Sequence, residues 1–170
     1  LGHTNPDVIL GLNNTFTYKN FDFSVFAMAR YGQTIKSNLI GWYRASSDPS
    51  INQPAGVDYW TEENQNAYYP VPGSGKEQKV MSALTYRDGS FIKIKNITLG
   101  YTLPKNFVQK FGLTSLRLYF SGQNLFTITN YSGYNPEVSN YNSNGSLTPG
   151  VDYGSYPLSK TYSFGLNVSF

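Results

Sequence analysis

The 170 residues include one histidine and no cysteine, so the side chains that most often bind metals or act as nucleophiles and general bases are nearly missing. His3 has no Cys, second His or nearby carboxylate at ligand spacing, and it reads as a solvated loop residue. Glu62 and Glu63 are adjacent, and neighbours in an extended chain diverge, so they do not make the facing carboxylates of an acid–base site. No nucleophile elbow, phosphate-cradling glycine pattern or EF-hand loop occurs. The expectation is a protein that is not an enzyme and uses no cofactor or metal. What remains is recognition. The stretches IGWYRASSDPS (40–50) and ENQNAYYPVPG (63–73) place Trp42, Tyr43, Tyr68 and Tyr69 beside Arg44, Asn64, Gln65 and Asn66. Rings stack on sugar faces or peptide side chains while amides satisfy hydroxyls. The same rings could instead pack a long loop onto its neighbours or onto a partner protein. Both readings stay open.

Such loops need a frame, and composition says which kind. Aromatic residues make up 16% of the chain and charged residues 14%, against a usual charged fraction of about 25%. With 16 Gly, 9 Pro and many Asn and Ser, the chain favours strands and turns. Five segments alternate apolar and polar residues: DVILGLNNTFTY (7–18), FDFSVFAMARY (21–31), FIKIKNITLGYTL (91–103), LRLYFSGQNLF (116–126) and TYSFGLNVSF (161–170). The third changes phase, with Ile92 and Ile94 at even positions and Ile97, Leu99 and Tyr101 at odd ones, so a bulge near Lys95 and Asn96 is expected. The strands are close to the roughly 9 to 11 residues that span a bilayer when tilted. No run of about 18 apolar residues is present for a membrane helix. The lysines and arginines behind the net charge of +3 are scattered, which argues against nucleic acid as a partner.

Connection lengths alternate. Two residues join the first two segments, and a short PKNFVQKFGLTS, in which Pro104 can open a helical turn, joins the third and fourth. Long loops, about 32–90 and 127–158, join the others. An up-and-down sheet then has all its short turns at one end, as outer-membrane barrels do, with long loops outside the cell. Tyr18, Phe21, Tyr101, Leu103 and Phe170 would form one interfacial girdle, and Tyr31 and Tyr162 the other. A soluble, secreted β-sandwich binding glycan through its loops alternates in the same way and is the alternative. Five strands cannot close a barrel, so the chain is expected to be one part of a longer protein. In the last segment Tyr162, Phe164, Leu166, Val168 and Phe170 share a face. They resemble the β-signal by which the barrel assembly machinery recognises outer-membrane clients, with strand addition as the natural mode. A client captured on that machinery is a further alternative.

Four blocks carry a more specific resemblance: NPDVILGLNNTFTYKNFDFSVFAMARYG (5–32), DGSFIKIKNITLGYTLP (88–104), LRLYFSGQNLFTITNYSGYNPE (116–137) and GVDYGSYPLSKTYSFGLNVSF (150–170). In this order they resemble the carboxyl-terminal end of SusC/RagA-type TonB-dependent outer-membrane transporters of Bacteroidetes. One departure is Asn135, where the family usually has Asp in its GYDPE block. The resemblance implies an all-β chain forming the last five strands of a barrel of about 22, with the amino-terminal plug outside this sequence. It implies nutrient import, of oligosaccharides or peptides, across the outer membrane. Implied partners are a SusD-like surface lipoprotein at the loops, the TonB complex through the missing amino-terminal part, the barrel assembly machinery and outer-membrane lipid.

Overall fold

The structure, a computed structural model, describes residues 2–44, 52, 54–71, 84–141 and 147–170. The chain divides into two units. One is Val8–Arg30, Phe91–Thr129 and Leu158–Phe170, and the other is Leu1–Asp7, Tyr31–Ser90 and Asn130–Pro157.

The first unit is an antiparallel sheet of five strands taken in chain order: β1 (Val8–Tyr18), β2 (Phe21–Tyr31), β5 (Phe91–Thr102), β6 (Ser115–Thr129) and β10 (Thr161–Ser169). The period-two pattern fixes which side each residue takes, and the cross-strand registers add the rows. Phe23 pairs Leu99, Leu99 pairs Phe120, and Phe120 pairs Phe164. The next row towards the short turns is Phe21, Tyr101, Leu118 and Leu166. Phe21 and Tyr101 approach to 4.6 Å between ring centres, and Phe120 and Phe164 to 4.9 Å. Such pairs supply roughly 0.2–1 kcal/mol each to the pairing. Phe23, Phe164 and Leu166 are nonetheless 36%, 84% and 65% exposed, so no second sheet among the described residues covers this side.

The bulge falls where the alternation places it. Opposite β2, Ile94 pairs Ala27 and Asn96 pairs Phe26, leaving Lys95 as the extra residue. Opposite β6 the register also shifts between Ile94 and Asn96. With that residue set aside, Ile92, Ile94, Ile97 and Leu99 lie on one face. Lys19, at a left-handed φ of 53°, and Asn20 make the turn between β1 and β2. Between β5 and β6 stand α2 (Lys105–Val108), starting after Pro104, and a 3₁₀ turn (Gln109–Phe111). Tyr162, the second residue of β10, pairs Gly122, in the row of Ile97 and Val25.

The second unit contains small sheets, β4 (Tyr86–Asp88), β3 (Thr34–Ser37) and β9 (Val151–Asp152) in that order, and β7 (Ser139–Tyr141) paired with β8 (Leu147–Pro149). Helix α1 (Asn38–Arg44) follows β3. Its small core holds Ile35, Tyr131 and Val138. Buried polar groups do much of the tethering. Gln33 Nε2 donates to the carbonyls of Gly89 at 2.5 Å and Pro136 at 3.1 Å. Asp152, wholly buried, accepts from the Tyr131 hydroxyl at 2.5 Å and from the Gly154 and Ser155 amides at 2.8 and 3.1 Å. Asn135 is buried and its Oδ1 accepts from the Glu137 amide at 3.2 Å, a turn-making role that Asp would fill equally. His3 is corrected in one respect: Asp7 is a carboxylate within reach, with Nε2 to Oδ1 at 3.2 Å in an exposed pair.

Candidate functional site

Two surfaces can touch a solute, and each lies within one unit. On the sheet it is the side opposite the large apolar residues. Ser24 pairs Thr98, Thr98 pairs Ser121, and Ser121 pairs Ser163, giving one row of four hydroxyls across four strands. Hydroxyls donate and accept, so such a row can exchange partners with a passing solute or with water. Nearer the short turns, Asp22 and Arg117, one row apart, form a bidentate ion pair: Nε to Oδ1 is 2.9 Å and Nη2 to Oδ2 is 2.5 Å. These residues stand on β2 and β6, two strands apart, and they meet across Gly100 of β5. An added Cβ at Gly100 would collide with both, so the glycine is what lets them meet. Likewise the Tyr119 ring lies across Gly165 of β10, and the Arg117 guanidinium sits 5.2 Å from that ring.

The second surface is the loop 57–71. Asp58 organises it. Its carboxylate accepts from Asn64 Nδ2 at 2.7 Å and the Tyr68 amide at 3.0 Å, and its carbonyl accepts from the Tyr69 amide at 3.1 Å. The Tyr68 amide first, and Asn64 second, hold the Asp58 carboxyl below the usual carboxylate range. Trp60 N donates to Tyr69 O at 2.9 Å, and Tyr59 and Tyr69 form a parallel bridge. Burial, reinforced by Tyr69, pushes the Tyr59 hydroxyl above its ordinary range. Tyr69 is buried and packs edge-on against Tyr59 and Tyr68. Tyr68 and Trp60 are 57% and 40% exposed, and the Arg87 guanidinium lies 5.6 Å from the Tyr68 ring. The loop thus shows two open rings and a cation, with a third ring buried beneath them.

Of the residues singled out by sequence, Tyr68 is open and Tyr69 supports it. Trp42, Tyr43 and Arg44 lie in α1, and their side chains fall outside the described residues. Trp60, Asp58 and Arg87 are not among the expected residues. A signal for the first two is present: the doublets Tyr59–Trp60 and Tyr68–Tyr69 flank a turn-forming run, with Asp58 just ahead. Arg87 is distant in sequence and gives none. Tyr162, Phe164, Leu166, Val168 and Phe170 are all exposed on one face of β10, which is an edge strand of the sheet. Among the described residues no three His, Cys, Asp or Glu gather as metal ligands, and no helix is long and apolar enough to cross a membrane, which says nothing of strands.

No family model matches the chain. All of it aligns with the TonB-dependent receptor P3 of Formosa agariphila at 38% identity, covering 17% of that protein. The TonB-dependent receptor SusC of Bacteroides thetaiotaomicron is 28% identical over 96% of the chain and 15% of its own length. Among solved structures, the RagAB peptide transporter superposes with a TM-score of 0.79 at 22% identity, over 98% of this chain and 17% of that one. At that identity the likeness is one of fold. The chain spans 15% and 17% of the two curated relatives.

Proposed function

The chain belongs to the TonB-dependent receptors of the SusC/RagA type, and from that premise we propose that it is a carboxyl-terminal length of barrel wall in an outer-membrane nutrient importer. The observation that carries this is the two-sidedness of the sheet. Phe21, Phe164, Leu166 and Phe126 are at least half exposed on one side, while Ser24, Thr98, Ser121, Ser163 and the Asp22–Arg117 pair occupy the other. Hydrocarbon suits the first side and a wet lumen the second. No group here is assigned a chemical step; these side chains shape and wet a passage. The long connections, about 32–90 and 127–158, are extracellular loops in this reading. In it Tyr68 and Trp60, with Tyr69 behind them and with Trp42, Tyr43 and Arg44, meet either the oligosaccharide or peptide being imported or a SusD-like lipoprotein. Energy comes through TonB from parts of the protein outside this sequence, and β10, ending in Phe170, is the strand offered to the barrel assembly machinery.

Orientation tests the reading. In the full-length transporter on a cysteine-free background, Gly56→Cys is expected to react with a membrane-impermeant maleimide on intact cells. Asn20→Cys, in the short turn, is expected to react only after the outer membrane is opened. Equal labelling of both on intact cells, or of neither, would falsify the assignment.

A further inference from the structure

The short-turn end of the sheet combines three features that the importer reading does not join into a site, and a ligand site built from them rests on that reading. The first is charge. Lys19 lies in the β1–β2 turn, and Lys105 and Lys110 are exposed in the β5–β6 connection. The two turns are neighbours, since Thr102 N donates to Asn20 O at 2.8 Å. From 100 to 118 and from 164 to 170 the sequence has no Asp or Glu, and Asp22, the acid next in line, is bound to Arg117. The second is an exposed ring pair. Phe107 and Phe111 are 50% and 67% exposed with centroids 5.4 Å apart. Val108 between them is buried, and its carbonyl accepts from Leu113 N at 3.2 Å, so the turn is anchored while its rings face out. The third is a groove of about 400 Å³ on the apolar side, in the rows nearest this end, walled by Phe21, Leu99, Tyr101, Leu118, Phe120 and Phe164.

Cations and open rings side by side are poorly suited to water and well suited to a headgroup boundary. We propose that this rim binds an anionic phospholipid of the periplasmic leaflet. Lys105, Lys110 and Lys19 receive the phosphate, Phe107 and Phe111 enter the acyl boundary, and one acyl chain lies in the groove. The absence of competing carboxylates selects the anionic headgroup over a zwitterionic one.

The test uses the full-length transporter in nanodiscs of phosphatidylcholine containing a minor share of phosphatidylglycerol, with retained lipid counted by native mass spectrometry. Wild type is expected to retain phosphatidylglycerol in excess of its share, and Lys105→Gln with Lys110→Gln to lose about fivefold in that preference for each lysine. Lys105→Arg with Lys110→Arg should keep it, Phe107→Ser with Phe111→Ser should weaken it, and Lys160→Gln at the long-loop end should leave it unchanged. Insertion without enrichment, or an equal loss in Lys160→Gln, overturns the site and leaves the importer reading standing. Failure of the wild type to enter nanodiscs overturns both.

Discussion

The two units hide opposite things. In the sheet, Phe164 is 84% exposed and Leu166 65%, and the strands are held to one another by register. In the loop unit the fully buried groups include Asp152 and Ser37, and Gln33 is 5% exposed. There, directional hydrogen bonds hold together segments as far apart as Gln33 and Pro136. In the importer reading, the comparison teaches that two solvents shaped one chain. Hydrocarbon accepts large apolar side chains but no unmet polar group. Loops near water can close around a carboxylate, provided each of its contacts is made.

The largest expected way to break this contrast is Asp152→Ala. It removes the carboxylate that accepts from the Tyr131 hydroxyl and from the Gly154 and Ser155 amides, at a cost of about 3–5 kcal/mol to the loop unit. Hydrogen exchange in the full-length protein should rise across 130–157 and stay unchanged in β5 and β6. The same aspartate explains why the Tyr131 hydroxyl stays a donor: burial first, then the bond to Asp152, push it well above its ordinary range. Next comes charge on the apolar face. Val25→Arg, in a mid-height row, should cost about 2–4 kcal/mol of insertion, and Leu166→Arg, a row from the short-turn end, less, towards about 1 kcal/mol. Ser163→Arg, facing the other way, should insert normally. Equal losses at all three in a membrane-folding assay would erase the difference between faces. The smallest effect concerns Asp58. Its folded pKa is depressed, so its contribution to the loop is present above the unfolded pKa and is lost as pH falls through the lower, folded value. Tyr68 and Tyr69 amides, corrected for intrinsic exchange, should lose protection only below the usual carboxylate range, and Asp58→Ala should remove the protection at neutral pH.

Sequence reading goes furthest where order is local. Alternation alone locates the five long strands, and the phase change at Ile94 to Ile97 locates the bulge, because a pleat has a period of two whatever surrounds it. It fails where order is made at a distance. β3, β4 and β9 have 4, 3 and 2 residues, too few for a period to register, and they exist through pairings such as Ile35 with Arg87 and Lys36 with Val151. Asp152 draws no notice because nothing beside it in the sequence foretells Tyr131. At the loop, ring content is legible, but which ring is covered is not: adjacent Tyr68 and Tyr69 differ only in what the Asp58 turn does with them.

The extra residue at Lys95 has a consequence for heredity. Without it, Ile94, Asn96 and Ile97 would alternate directly against β2, so losing that one codon leaves the other side chains of β5 on their own sides while widening by one residue the step that β6 already makes between Gln123 and Phe126. The same three-base loss two codons earlier, at Lys93, would use up the extra residue as well, and it would exchange the sides of Ile94 and Lys95 alone, setting a lysine among the large apolar residues. A codon lost at this bulge therefore misplaces at most two side chains, whereas the same loss within the unbulged β10 would turn the rest of that strand over.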